Sequence, residues 1–120
     1  MVEACRKDFA VLSGDDATAR NAIREGARGV ISVTANVAPR AMADMIAAAL
    51  RGDHAAAEML DAPLAALHRD LFIEANPIPS KWALVRMGLM GEGIRLPLTP
   101  LSAAAQPAVL AALRAAGVVK

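Results

Sequence analysis

The N-terminal part of the chain alternates two short apolar runs with segments of helical periodicity. Residues 9–13 and 30–34 carry no charge, are bounded by turn residues and are too short for helices. Such runs are typical of strands that are buried on both faces. A helix is predicted between them, over about residues 16–26, where small and apolar residues recur on one face. Strands that alternate with helices predict parallel pairing through right-handed crossovers.

Only helices are predicted after residue 36. Their expected bounds are about 39–52, 53–73, 79–88 and 102–117. Asp53 and Ser102 are the expected N-caps of two of them, and Pro63 should kink or divide the longest. The Asn76-Pro77-Ile78-Pro79 segment is a rigid break that is expected to fix how the last helices dock. Three methionines are predicted to pack between helices in the core: Met42, Met45 and Met59.

Two parallel strands that are each buried on both faces need neighbouring strands, and the sequence offers no third one. The predicted fold class is therefore α/β, namely the C-terminal portion of a larger sheet or barrel followed by an all-helical domain. We expect the first part to span residues 1–51 and the helical domain residues 52–120. Residues 1–6 are predicted to end a helix that begins before the chain does.

Composition narrows the class of protein. The 120 residues are 56% hydrophobic, largely through alanine, and no apolar run reaches the roughly 18 residues of a membrane span. A net charge of +1 gives no electrostatic footprint for nucleic acid or a membrane surface. The first residues lack the apolar core of a signal peptide, so a cytoplasmic protein is expected. The single cysteine, Cys5, excludes an internal disulfide, and without a nearby histidine a packing role is favoured over a reactive thiol.

The first apolar run ends in Ser13-Gly14-Asp15-Asp16, which favours a strand end that faces a ligand. Glycine allows close approach of the backbone to a bound molecule. Asp15 is balanced between presenting its carboxylate and capping the next helix, whereas capping is favoured for Asp16. Neither acid is expected to hold a metal, because no third ligand lies nearby.

Other polar residues favour structural roles. The hydroxyls of Ser32 and Thr34 are expected to bond to backbone rather than to act as donors in a site. His54 and His68 are fourteen residues apart, which does not fit the spacing of a zinc pair. They are expected to be surface or internally satisfied histidines.

Four linked motifs resemble the dihydrodipicolinate synthase family. They are LSGDDA at 12–17, GVISVTANV at 29–37, NPIP with Lys81-Trp82 at 76–82, and RLPLTP at 95–100. The resemblance implies the last two strands of a (β/α)₈ TIM barrel and the C-terminal helical domain. It also implies a class I aldolase reaction, the condensation of pyruvate with aspartate semialdehyde in lysine biosynthesis, with no cofactor and no metal. Family members are tetramers, so a homo-oligomer is expected.

The resemblance places substrate-binding residues in this chain but no catalytic ones. It implies that Gly14, Asp15 and Ile31 line the substrate site, with the Ile31 backbone contacting pyruvate. The family uses a lysine of the sixth strand as Schiff base and a tyrosine network to move protons. This chain has no tyrosine, and its three lysines lie outside that motif: Lys7, Lys81 and Lys120.

By itself the chain is therefore expected to be inactive and to need the N-terminal barrel segment as a partner. Uncovered apolar faces should favour aggregation or oligomerisation. Two alternatives stay open: half of a split pyruvate-dependent aldolase, or a non-catalytic helical interaction or assembly module.

Overall fold

The computed structural model describes Arg6 and residues 8–120. Cys5 and Lys7 therefore lie outside the described residues. So does the helix end predicted at residues 1–6, apart from Arg6. The α-helices of the described part are α1 Ala19–Arg24, α2 Pro39–Leu50, α3 His54–Asp61, α4 Ala65–Asp70, α5 Ile78–Arg86 and α6 Gln106–Ala115. Short 3₁₀ helices occur at Thr34–Asn36 and Ala62–Leu64.

Two extended segments, residues 11–13 and 28–31, run side by side. The Arg28 N–H donates to the carbonyl oxygen of Val11 (2.8 Å), and the Ser13 N–H donates to that of Gly29 (2.9 Å). The second of these bonds and the Ile31 N–H bond to the Ser13 carbonyl oxygen (2.8 Å) form a parallel bridge between Ser13 and Val30. The predicted parallel pairing is thus confirmed, but the predicted full strands over 9–13 and 30–34 are wrong. Within the described residues the pairing is a single bridge, because the chain turns into a 3₁₀ helix at Thr34.

The apolar side chains of these segments are not buried. Phe9 is 63% exposed, Leu12 48% and Ile31 69%. The prediction that both segments are buried on both faces is therefore wrong for this chain: Val30 packs against the hydrophobic core, whereas Leu12 and Ile31 stay exposed. We call these three exposed side chains the open face.

The long helical segment predicted over 53–73 is divided at Pro63. A proline inside a helix lacks the N–H that would bond to the preceding turn, and here a 3₁₀ turn at Ala62–Leu64 separates α3 from α4. Asp53 caps α3 as predicted, with its Oδ1 accepting from the Ala56 N–H at 3.1 Å. The break at Pro63 changes the direction of the chain, so that α3 packs on α2 and α4 packs on α6.

Two other helices are shorter than predicted. α1 spans six residues rather than the predicted eleven of 16–26. α6 begins at Gln106, and the turn that leads into it starts at Ser102, whose Oγ accepts from the Ala105 N–H at 3.3 Å and whose carbonyl oxygen accepts from the Gln106 N–H at 3.2 Å. Before each of these helices, a polar side chain accepts from the N–H three residues further on, within a turn: Asp15 from Thr18 and Ser102 from Ala105.

The main hydrophobic core lies between α2, α4 and α6. Its fully buried side chains include Met45, Leu64, Leu67, Leu71, Val109 and Leu113. Met42 is buried beside them as predicted. Met59 is 76% exposed, so its predicted core position is wrong. Ala57 and Asp61 are the buried residues of α3, and Met59 lies two positions from each, on the opposite side of the helix.

No helix in the described part of the chain has both the length and the apolar character that crossing a membrane requires.

Candidate functional site

The parallel bridge brings the ends of the two extended segments to one edge. In both segments the chain leaves the paired positions, Ser13 and Val30, in the same direction. We call residues 13–16 and 31–34, which lie at this end of the pairing, the strand-end edge. The Ile31 N–H donates to the Ser13 carbonyl oxygen at 2.8 Å, which fixes the register there. Ligands of parallel α/β folds bind beyond the carboxyl ends of their strands. The candidate residues Gly14, Asp15 and Ile31 therefore share the edge where a ligand is expected, and their contact with substrate stays a prediction.

Asp15 is engaged in the turn that leads into α1. Its Oδ2 accepts hydrogen bonds from the Thr18 N–H (3.0 Å) and from the Thr18 hydroxyl. The Ser13 hydroxyl donates to the Asp15 carbonyl oxygen at 3.0 Å. Gly14 is exposed, and a Cβ added there would meet no atom within 4 Å. Packing within this chain thus does not require glycine at position 14, which leaves close approach to a ligand as the predicted reason for it.

Asp16 joins the two halves of the edge. It is only 2% exposed, and its Oδ2 accepts from the backbone N–H groups of Val33 and Thr34, each at 3.0 Å. Its Oδ1 is buried and has no donor among the described residues. The predicted helix-capping role of the Asp16 side chain is therefore wrong. A carboxylate accepts several N–H bonds at once, and here it ties the end of the first segment to the turn after the second.

A buried chain of polar side chains continues from Thr34 into the helical part. The Thr34 Oγ1 lies 2.9 Å from His68 Nδ1, and His68 Nε2 lies 3.0 Å from Asp61 Oδ1. Arg20 Nε donates to Asp61 Oδ2 at 2.7 Å. We call these four side chains the buried polar chain. It links α1 and the strand-end edge to α3 and α4.

The partners of His68 determine where its proton lies. An ionised carboxylate only accepts hydrogen bonds, so Nε2 must carry the hydrogen that points to Asp61. In the neutral ring, Nδ1 is then an acceptor, and the Thr34 hydroxyl donates to it. His68 is thus an internally satisfied histidine, as predicted, whereas the predicted preference of Thr34 for a backbone partner is wrong. Ser32 does bond to backbone, accepting from the Ala35 N–H at 2.8 Å.

Asp61 is the anionic centre of the buried polar chain. Its burial would raise the pKa of its carboxyl group, but the hydrogen bonds from His68 and Arg20, together with the positive charge of Arg20, outweigh burial. The pKa of Asp61 therefore lies below its ordinary value of 3.8. A depressed carboxyl pKa stabilises the fold above the unfolded-state pKa, and this contribution is lost as pH falls through the folded-state value.

We expect this linkage to appear as acid sensitivity. The free energy of unfolding of the wild type should fall relative to that of Asp61→Asn as pH decreases from about 5 to about 2. Urea unfolding, followed through the single Trp82, measures both. The matched control is Asp8→Asn, because Asp8 pairs with Arg6 at an exposed position. A difference between wild type and Asp61→Asn that does not change with pH would contradict the assignment.

Sequence reasoning did not identify Asp16 or the buried polar chain as connections. Their members lie far apart along the chain, with Arg20 and Asp61 separated by 41 residues. One local signal existed: Asp61 and His68 are seven residues apart, which places them on one face of a helical segment. His54, by contrast, is exposed, as predicted.

A cleft of about 980 Å³ lies elsewhere, between α5, α6 and the extended segment 92–101. Trp82, Ile94 and Leu98 form part of its apolar wall, and Lys81 lies along it. The strand-end edge contributes no residue to this cleft. Lys81 thus belongs to a different surface from the candidate substrate residues, as the sequence had led us to expect.

The sequence of the chain matches a known protein family and individual relatives. The model of the dihydrodipicolinate synthetase family matches residues 1–116. The chain is 58% identical over 118 residues to 4-hydroxy-tetrahydrodipicolinate synthase of Aromatoleum aromaticum, covering 98% of this chain and 40% of that relative. It is 60% identical over 114 residues to the enzyme of the same name from Methylococcus capsulatus, covering 95% of this chain and 39% of the relative.

Solved structures agree with the sequence match. The crystal structure of chloride-inhibited dihydrodipicolinate synthase from Acinetobacter baumannii, complexed with pyruvate, superimposes with a TM-score of 0.94 at 48% identity. The superposition covers 98% of this chain and 40% of the Acinetobacter baumannii chain. Dihydrodipicolinate synthase from Aquifex aeolicus gives a TM-score of 0.93 at 39% identity, over 98% and 40% of the two chains. The chain spans about 40% of the length of the relatives it matches, and it belongs to the dihydrodipicolinate synthetase family.

Proposed function

We propose that this chain supplies the C-terminal portion of a 4-hydroxy-tetrahydrodipicolinate synthase. In the proposed reaction, pyruvate condenses with aspartate semialdehyde in lysine biosynthesis, in the cytoplasm and within a homo-oligomer. The observation that carries the proposal is the 58% identity over 98% of the chain to a relative of that name. The crystal structure of a further relative with bound pyruvate supports the first substrate.

The strand-end edge is the proposed contribution of this chain to the substrate site. We assign residues 11–13 and 28–31 to the last two strands of the barrel, within a first part that spans residues 1–51, and residues 52–120 to the helical domain. The backbones of Gly14 and Ile31 are the proposed pyruvate contacts. Asp15 is proposed to shape the rim through its turn with Thr18, since this contact leaves its carboxylate tied to the loop.

The covalent step belongs to residues outside this chain. A class I aldolase forms a Schiff base between a lysine amine and the pyruvate carbonyl, with loss of water, and burial favours the neutral nucleophilic amine. The chain has no tyrosine, and its half-buried Lys81 lines the cleft beside α5 rather than the strand-end edge. We therefore propose that no pyruvate adduct forms on this chain and that an N-terminal barrel segment supplies the lysine.

The second candidate function that we propose is half of a split pyruvate-dependent aldolase. Phe9, Leu12 and Ile31 present large apolar side chains to solvent beside an unextended parallel bridge. A complementary barrel chain would cover them and extend the pairing.

Reductive trapping distinguishes these possibilities. The chain is incubated with labelled pyruvate and borohydride, alone and after co-expression with the N-terminal portion of the Aromatoleum aromaticum relative. We expect no adduct on the chain alone and, in the co-expressed complex, an adduct on the complementary chain only. Intact-mass spectrometry identifies which chain carries the label.

An adduct on this chain alone would contradict the assignment of the lysine to another segment. Failure of the two chains to form a complex would contradict the split reading. The complementary portion incubated alone is the control for an adduct that does not depend on this chain.

A further inference from the structure

The turn that follows the second extended segment is held from two sides. From one side, the Asp16 carboxylate accepts the N–H groups of Val33 and Thr34, both at 3.0 Å. Asp16 is 2% exposed, so water competes little for these bonds. Because both hydrogen bonds are made by backbone N–H groups, they fix the path of the chain at these two residues.

From the other side, His68 holds the side chain of Thr34. The Thr34 Oγ1 and His68 Nδ1 lie 2.9 Å apart, and Thr34 is fully buried. Asp61 accepts from the opposite ring nitrogen at 3.0 Å and so fixes the orientation and tautomer of the imidazole. The helical part of the chain thus reaches the strand-end edge through one hydroxyl group.

The residue held between these contacts and the parallel bridge is Ile31. Its N–H donates to the Ser13 carbonyl oxygen at 2.8 Å, two residues before the backbone held by Asp16. Its side chain is 69% exposed, so packing in this chain contributes little to its position. The Ile31 backbone is held by its own hydrogen bond to Ser13, by the hydrogen bonds two and three residues further on, and by Val30 and Val33, which pack against the main core.

The order carboxylate, imidazole, hydroxyl also occurs in hydrolases, where the hydroxyl attacks substrate. A nucleophile must touch its substrate, and Thr34 is 0% exposed. The ring of His68 is equally enclosed, with a side chain that is 3% exposed. Because these groups are buried, we assign Asp61, His68 and Thr34 a structural role and not a nucleophilic one.

We infer that Asp16 and His68 are positioning residues, which hold the Val33–Thr34 turn from two sides and thereby set the Ile31 backbone at the strand-end edge. The inference deepens the proposed function and rests on it only in so far as Ile31 contacts substrate. Through His68, the helical domain takes part in shaping the substrate site without touching substrate.

Hydrogen exchange of the full chain tests this directly. Thr34→Val removes the hydroxyl at nearly constant shape, and Thr34→Ser restores it. We expect amide exchange at Ile31, Val33 and Thr34 to be about tenfold faster in Thr34→Val, as loss of a buried hydrogen bond implies. The Leu67 and Leu113 amides should change less, and Thr34→Ser should return the edge to wild-type rates.

The second measurement is the ¹⁵N spectrum of the His68 ring. We expect a protonated Nε2 and an unprotonated Nδ1 at neutral pH, identified by comparison with His68→Gln. The matched control for His68→Gln is His54→Gln. It should leave amide exchange at the strand-end edge unchanged, because His54 is exposed. A proton on Nδ1, or an equal rise in exchange at the edge and in the core, would overturn the inference. None of these readouts requires pyruvate, so failure of reductive trapping would leave them standing.

Discussion

Replacing Asp16 with alanine should lower the free energy of unfolding by roughly 2–5 kcal/mol, since each of two buried or half-buried N–H groups loses its acceptor at a cost of about 1–3 kcal/mol. Those groups belong to Val33 and Thr34, which have Asp16 as their shared partner. Removal of the buried carboxylate also removes its desolvation cost, which places the result below the largest value of the sum. Urea unfolding followed by Trp82 fluorescence measures the change.

Two further variants make this result specific to Asp16. Asp16→Asn retains one carbonyl oxygen as acceptor and should lose less than Asp16→Ala. Asp8→Ala removes an exposed acid, whose pair with Arg6 is worth at most about 1 kcal/mol. If Asp16→Ala were no less stable than Asp8→Ala, the Asp16 carboxylate would not hold the edge.

Leu67→Ala should destabilise the chain by about 2–5 kcal/mol through loss of buried surface and creation of a cavity. Leu67 has no exposed surface and lies in the main core with Met45 and Leu113. A loss of this size is a large fraction of the roughly 5–15 kcal/mol of total stability that is typical of native proteins. Thermal and urea unfolding, both followed by circular dichroism, measure it.

The matched control is Leu96→Ala, because Leu96 is 86% exposed. A substitution at such a surface position is expected to change stability by no more than about 0.5 kcal/mol. Similar losses in Leu67→Ala and Leu96→Ala would mean that the helices are not packed around a common core as described.

The helical part of the fold was largely predictable, because its signals are local. Pro39 and Gly52 bound α2, Asp53 caps α3, and Pro63 interrupts the helix as its missing N–H requires. The extended segments were predictable in direction but not in burial. Their apolar pattern is that of strands with neighbours on both faces, whereas Leu12 is 48% exposed.

The candidate site divides in the same way. The composition of Ser13-Gly14-Asp15-Asp16 indicated a strand end that faces a ligand, and the resemblance added Ile31. The role of Asp16 could not be predicted, since its partners are backbone N–H groups 17 and 18 residues away. Backbone donors leave no trace in residue identity, so local capping propensity pointed to the wrong partner.

The central claim is that this chain supplies the rim of a pyruvate site in a barrel completed by another segment. The most direct test joins the N-terminal portion of the Aromatoleum aromaticum synthase, up to its matched region, to this chain and measures condensation of pyruvate with aspartate semialdehyde. The account predicts a turnover rate of the same order as that of the intact relative and none from either portion alone. A folded fusion protein that forms the pyruvate Schiff base but does not condense the two substrates, or forms no Schiff base at all, would contradict it.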